Sequence, residues 1–267
     1  MEINIYHNIF IVVIYNMVNS AIYDRLAKKK GGRHMRHTGH HAFNLMVGGQ
    51  KSGSSSFLNL LNEKKEFLIK VFANLIAQLG ITYYFMMNYK ANPKNSGLYW
   101  GLVVVQFIII VALAALPMPS WLKFILFSLF SVIAGYTLSI LRQVADPKLI
   151  QTAILGTISI FGVMFLFGAA LIMFGVKLGL QFAAFLFYAL LLLIIVQIVT
   201  IFSGATSAFM KGLTIFSLIL FSIYIIYDTN NILQREYYGD FITASLDYYL
   251  DIINVFIDLV SLFGNNN

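Results

Sequence analysis

The sequence predicts an all-α integral membrane protein, a seven-transmembrane-helix bundle, and three observations carry that prediction. The chain of 267 residues is 59% hydrophobic and only 11% charged, with a mean hydropathy of +0.80. A soluble domain carries about 25% charged and about 45–50% apolar residues, and rarely exposes apolar patches as large as this composition would force on it. Six stretches reach the ~20 apolar residues that a spanning helix needs. Charge is also segregated: ten of the 18 Lys and Arg lie in residues 25–70, and six of the eleven acids follow residue 227.

Residues 1–62 read as a basic, Gly/Ser-rich tail, cytosolic and disordered, ahead of a membrane domain over 63–264. Ile9 to Ile22 is apolar but short and is interrupted by Asn16 and Asn19. A weak extra span, a signal-like segment and an upstream extension all stay open for it, with the extension preferred. Arg25, Lys28, Lys29, Lys30, Arg33 and Arg36 follow, and then the linker from Gly48 to Ser56. All five histidines fall in the first 41 residues. His34, His37, His40 and His41 offer at most weak transition-metal binding, since no oxygen or sulfur ligand fixes a geometry.

The expected spans run from Glu66 to Met87, Leu98 to Leu116, Trp121 to Leu141, Ile150 to Phe174, Leu180 to Phe202 and Phe209 to Leu233. Between Gly97 and Tyr227 the only charges are Lys123, Arg142, Asp146, Lys148, Lys177 and Lys211, each at or near a helix end. The connectors carry turn chemistry, as in Pro117-Met118-Pro119-Ser120 and Ala145-Asp146-Pro147-Lys148. Their shortness makes successive helices antiparallel neighbours. The basic tail, extended by Lys64 and Lys65, is assigned to the cytosol by the positive-inside rule. The later loops do not discriminate.

A seventh segment, Thr243 to Phe263, is long enough to span but carries Asp247, Asp251, Asn254 and Asp258. Offsets of four, three and four keep these on one narrow helical face. A charge at the bilayer centre costs ~2.5–3.5 kcal/mol even on the lenient scale, so a lipid-facing placement is not tolerated. The segment either sits inside the bundle or lies on the membrane surface. Asp228, near the end of the sixth span, and Asp251 fall at comparable depth, ~8–12 Å from the same membrane face. Two carboxyls meeting in an apolar bundle cannot both ionise cheaply and tend to share a proton. The pair therefore reads as an ion path with a proton-sensitive latch, and Asp247, Asn254 and Asp258 as its supporting polar stripe.

Tyr227-Asp228-Thr229-Asn230-Asn231-Ile232, followed by the run from Asp240 to Phe256 containing Tyr249-Leu250-Asp251-Ile252-Ile253-Asn254, resembles the C-terminal signature of the transmembrane Bax inhibitor motif (lifeguard) family. Ala134-Gly135-Tyr136-Thr137-Leu138, Gln151-Thr152-Ala153 and Glu66 to Phe72 are similar to that family's third, fourth and first spans, so the likeness covers about Lys64 to Gly264. The resemblance implies a C-terminal helix at the centre, wrapped by the other six. It also implies a pH-sensitive calcium leak across an organelle or bacterial membrane, with cell-death suppression in eukaryotic members. The family's paired aspartates correspond to Asp228 and Asp251, with calcium passing them transiently as the transported ion and no fixed metal. Two positions depart from the pattern. Ser261 stands where an Arg is frequent, and Leu116-Pro117-Met118-Pro119 ends the second span without the basic residue that latches onto the aspartates in bacterial members.

Other classes find little support. The chain has no cysteine, which excludes thiol chemistry and Cys-ligated metals. The hydrophobic body has no histidine, and no phosphate-binding glycine motif appears. No cofactor and no enzymatic activity are expected. The basic cluster lacks the interleaved aromatics of a nucleic-acid surface. An intramembrane aspartyl protease also pairs Tyr-Asp with a second Asp, but Asp251 follows Tyr249-Leu250 and no Pro-Ala-Leu comes after it. A non-conducting adaptor that inhibits apoptosis by binding partners is the other alternative. The expected partners are the bilayer, calcium and protons, and cell-death regulatory membrane proteins. The expected location is the endoplasmic reticulum or Golgi for a eukaryotic or viral protein, and the plasma membrane for a bacterial one.

Overall fold

A computed structural model describes residues 53–92, 96–203, 205–234 and 237–264. Ile9 to Ile22, the basic cluster, the histidines and the linker up to Ser52 lie outside the described residues, as do Lys94 and Arg235. Among the described residues there is no strand, and seven long helices account for the fold. They are α1 (Gly53–Asn88), α2 (Ser96–Ala115), α3 (Ser120–Leu138), α4 (Pro147–Met173), α5 (Leu180–Ser203), α6 (Ser207–Gln234) and α7 (Phe241–Gly264). By length and composition α1, α3, α4, α5 and α6 are able to cross a membrane, and α2 is apolar over Trp100–Ala115. The protein is an integral, multi-pass membrane protein.

Helix ends follow local chemistry. Asp146 caps α4 by accepting from Lys148 N at 2.8 Å, and Pro147 occupies the first helical position, where no N–H is needed. Gly175, at φ +76°, ends α4. Val176 N there donates to Leu171 O at 2.8 Å and Gly175 N to Ile172 O at 2.9 Å, the paired bonds of a Schellman stop. The third span ends at Leu138, three residues earlier than expected, because the chain bends into a one-turn helix, Leu141–Val144. That bend ties down the end of α1. The Arg142 guanidinium donates to the carbonyls of Met86 and Met87, Gln143 Nε2 donates to Ala91 O at 2.7 Å, and Ala91 N donates to Ser139 Oγ at 2.8 Å.

The start of α1 differs more from expectation. The helix begins at Gly53, ten residues before the anticipated 62/63 boundary, so the last part of the expected tail is helical. Phe57-Leu58-Asn59-Leu60-Leu61 holds no proline or glycine, and its leucines are good helix formers that extend the span outward.

The membrane exterior is apolar and the interior is mixed. Leu155, Ile158, Leu166, Phe185 and Tyr188 are each more than half exposed, as side chains facing lipid are. Every residue of α7 from Ile242 to Ser261 except Ile253 is buried. Its main packing partners are α6, α1, α4 and α3, while α2 lies chiefly on α3 and α5 chiefly on α6. Tyr248 and Tyr249, both fully buried, peg α7 to different sets of neighbours. The Tyr248 ring packs with Phe72 of α1 and Phe161 of α4, at centroid distances of 6.1 and 5.3 Å. Tyr249 meets Phe127 and Phe130 of α3 at 5.1 and 5.8 Å.

Two glycines set the closest approaches, as small residues do between membrane helices. A Cβ on Gly135 would run into the Thr82 carbonyl oxygen of α1, and one on Gly168 would lie 2.7 Å from Ile226 O and 2.8 Å from Thr229 Cβ of α6. Backbone cannot yield as a flexible side chain does. Gly135→Val and Gly168→Val should therefore each lower unfolding stability in detergent by about 1–3 kcal/mol. Gly162→Val, where a Cβ meets nothing within 4 Å, should be neutral in the same measurement.

Candidate functional site

The last hairpin assembles the site. After α6 a 3-10 turn, Tyr237–Gly239, reverses the chain, with Tyr237 at φ 41° and Gly239 at φ 80°. Asp240 then caps α7: its Oδ1 accepts from Thr243 N at 3.0 Å and its Oδ2 from Thr243 Oγ1 at 2.7 Å. Lys123, at the start of α3, forms an ion pair with the same carboxylate, so the mouth of the hairpin is pinned to a third helix.

Four consecutive polar residues of α6 point in four directions, because each step along a helix turns about 100°. Asp228 faces α7, where its carboxyl lies beside that of Asp251. Thr229 Oγ1 accepts from Tyr248 OH of α7 at 2.9 Å. Asn230 turns to the α4–α5 connection, accepting from Leu178 N at 2.8 Å and donating to Val176 O at 3.0 Å. Asn231 Nδ2 donates to Tyr237 OH at 3.3 Å.

All five sequence-derived candidates are buried: Asp228 is 6% exposed, Asp247 5%, Asp251 1%, Asn254 0% and Asp258 3%. They share the α6–α7 interface but do not form one cluster. Asp247 lies at the mouth and accepts from Tyr237 OH at 3.0 Å. Asp251 lies one turn deeper, against Asp228. Asp258 lies roughly 10 Å deeper again along α7, where Ser217 Oγ donates to its Oδ2 at 2.7 Å. Four buried polar atoms along this interface have no hydrogen-bond partner among the described residues: Tyr224 OH, Asn231 Oδ1, Asp251 Oδ2 and Asn254 Oδ1. Among the described residues no group of three or more acids or histidines gathers as a metal cage. A lateral apolar cavity of about 810 Å³ between α1 and α4 ends on Ile252, Ile253 and Phe256 of α7, on another face from the carboxyl pair.

A second polar seam was not anticipated. Asn74 Nδ2 donates to Ser245 Oγ of α7 at 2.5 Å, and Thr82 Oγ1 lies 2.5 Å from Tyr249 OH. Between them Gln78 accepts from Ser131 Oγ at 2.9 Å and donates to Ser128 Oγ of α3 at 3.1 Å. The signal was present in the sequence, since 74, 78 and 82 recur every four residues in the apolar stretch of α1 after Lys70 and so share one face.

A sequence model of the family described as "Inhibitor of apoptosis-promoting Bax1" matches residues 64–267. The chain is similar to a BI1-like protein of Arabidopsis thaliana, at 29% identity over 75% of this chain and 81% of that protein. It is similar to Bax inhibitor 1 of Schizosaccharomyces pombe at 31% identity, over 74% of this chain and 76% of the other. The inner membrane protein YbhL of Escherichia coli is 29% identical over 62% of this chain and 74% of its own length.

The α1–α3–α7 seam should behave as structure. Tyr249→Phe removes one hydroxyl and leaves Thr82 its bond to Gln78 O. Its cost in unfolding free energy should be about 0.5–1.5 kcal/mol, the range of hydrogen bonds between membrane helices.

Proposed function

The chain belongs to the Bax inhibitor (lifeguard) family of membrane proteins, and from that premise we propose that it is a pH-sensitive calcium leak channel gated by Asp228 and Asp251, which modulates calcium stores and suppresses cell death. The observation that carries the reading is the carboxyl pair. Asp228 and Asp251 face each other in a buried helix interface, and Asp251 Oδ2 has no donor from any other described residue. A shared proton satisfies both oxygens when the pair is at rest. Losing that proton leaves two negative charges side by side, which either separate the helices or draw in a cation. Calcium takes oxygen ligands and suits such a site as a transported ion rather than a resident cofactor.

Several further assignments go with this reading. The basic tail faces the cytosol, which places the α6–α7 mouth on that side as well. The membrane is that of the endoplasmic reticulum or Golgi in a eukaryotic or viral setting, and the plasma membrane in a bacterial one. Cell-death regulatory membrane proteins are the expected protein partners. The end of α2 holds no basic residue, and Lys123, at the start of α3, pairs with Asp240 rather than with the aspartate pair.

The test is calcium flux into dye-loaded liposomes across a pH series, with Asp228→Asn and Asp251→Asn alongside. The wild type should leak calcium with a pH-dependent rate, and either substitution should flatten that dependence. No wild-type flux at any pH would sink the channel and favour an adaptor. Cleavage of a model transmembrane peptide, lost in the same variants, would favour a protease.

A further inference from the structure

Asp258 is the acid of the last hairpin that the carboxyl pair leaves unexplained. It is 3% exposed, and one hydroxyl, Ser217 Oγ, donates to it at 2.7 Å. A buried carboxylate needs far more than one neutral donor to offset its lost hydration. Halfway between Asp251 and Asp258, on the same face, sits Asn254, which is completely buried. Its Nδ2 is engaged by Leu250 O at 2.7 Å, one turn back, so Oδ1 is the atom left without a partner. An amide oxygen only accepts, and its missing partner is a donor or a cation. Asn254 and Asp258 are four residues apart, which puts their side chains side by side on one face. Ser217 completes the group from α6.

We propose that Asp258, Asn254 and Ser217 form a second cation station for calcium, one step deeper than the Asp228–Asp251 pair, with Asn254 shared between the two. The assignment rests on the reading that cations enter between α6 and α7. Its ligands are all oxygens, the set that calcium prefers. One carboxylate with two neutral oxygens binds such an ion weakly, as a step on a path must if the ion is to leave again. Rises of about 4.5 Å from Asp251 to Asn254 and about 6 Å from Asn254 to Asp258 make the amide a relay between the two charged positions.

The experiment is a calcium-induced thermal shift on the full chain in detergent, with magnesium as the comparison ion. Its reference is the double variant Asp228→Asn/Asp251→Asn, which removes the upper site. Calcium at about 10 mM, well above the roughly millimolar affinity that so few charged ligands permit, should still raise the melting temperature of this variant by about 2–4 °C. Adding Asp258→Asn should abolish the shift, although the amide keeps a carbonyl for Ser217. Adding Asn254→Ala or Ser217→Ala to the double variant instead should weaken the apparent calcium affinity several-fold, which covers the case of a triple variant that does not fold. A double variant with no calcium shift overturns the proposal. So does a shift that survives Asp258→Asn, for Asp258 is then only a hydrogen-bond acceptor for Ser217, and so does an equal shift with magnesium, for the site then lacks the size and geometry that distinguish calcium. Because the readout is binding without the pair, it stands or falls separately from the pH dependence of flux.

Discussion

The structure depends on one constraint: α7 carries a polar stripe through the apolar depth of a membrane, and each of its polar groups needs a partner from another helix. Hydrocarbon offers no hydrogen bonds, so the stripe is tolerable only when neighbours cover it. That requirement explains the packing order. The helices that touch α7 most, α6, α1, α4 and α3, are the ones that cover it, whereas α2 and α5 present nearly continuous apolar surface and lie outside. Close contact at Gly135 and Gly168 serves the same end, because α3 reaches α1 and α4 reaches α6 only without a Cβ between them. Adjacent tyrosines then divide the bundle. Tyr248 ties α7 to α6 through Thr229, and Tyr249 ties it to α1 through Thr82.

The mouth of the hairpin follows from the same logic at the membrane edge. Asp240 is a helix cap, an ion-pair partner for Lys123 and the end of a tight reversal at Gly239. The cap fixes the start of α7, and the ion pair fixes that start against α3. The depth at which Asp251 meets Asp228 is thus set by a short connection anchored at both ends. On the opposite face, Arg142 binds the carbonyls that end α1 and Gln143 binds that of Ala91 just beyond it. The interior stripe is therefore held in register from both sides of the bundle.

Much of this was legible in the sequence, and the reasons differ by element. Six spans could be seen because apolar runs of membrane length have few alternatives. The seventh could be placed because four polar residues at offsets of four, three and four make sense only if something covers them. The Asp228–Asp251 meeting followed from a short connection and a fixed rise per residue. Three features escaped for physical reasons. The start of α1 at Gly53 was masked by glycine and serine, which read as linker unless the leucines that follow are weighed with them. The end of α3 at Leu138 depends on Ser139 and Arg142 reaching α1, a tertiary contact with no local signature. The Asn74, Gln78 and Thr82 stripe did have a signature, but uncharged polar residues raise less alarm in a span than carboxylates do.

The two polar faces of α7 are built differently. Toward α1 and α3 the polar side chains close on one another: Asn74 with Ser245, Gln78 with Ser128 and Ser131, and Thr82 with Tyr249. Toward α6, Tyr224 OH, Asn231 Oδ1, Asp251 Oδ2 and Asn254 Oδ1 have no hydrogen-bond partner among the described residues. A fold that required only a covered stripe would satisfy both faces alike, since an unpaired buried acceptor costs about 1–3 kcal/mol. Leaving four buried polar atoms unpaired along one interface is a standing cost that stability does not explain. It is explained if that interface is completed by something that comes and goes, a proton between the carboxyls or a cation among the oxygens. On the proposed function, the satisfied seam would hold α7 in place while the other exchanges its proton or cation.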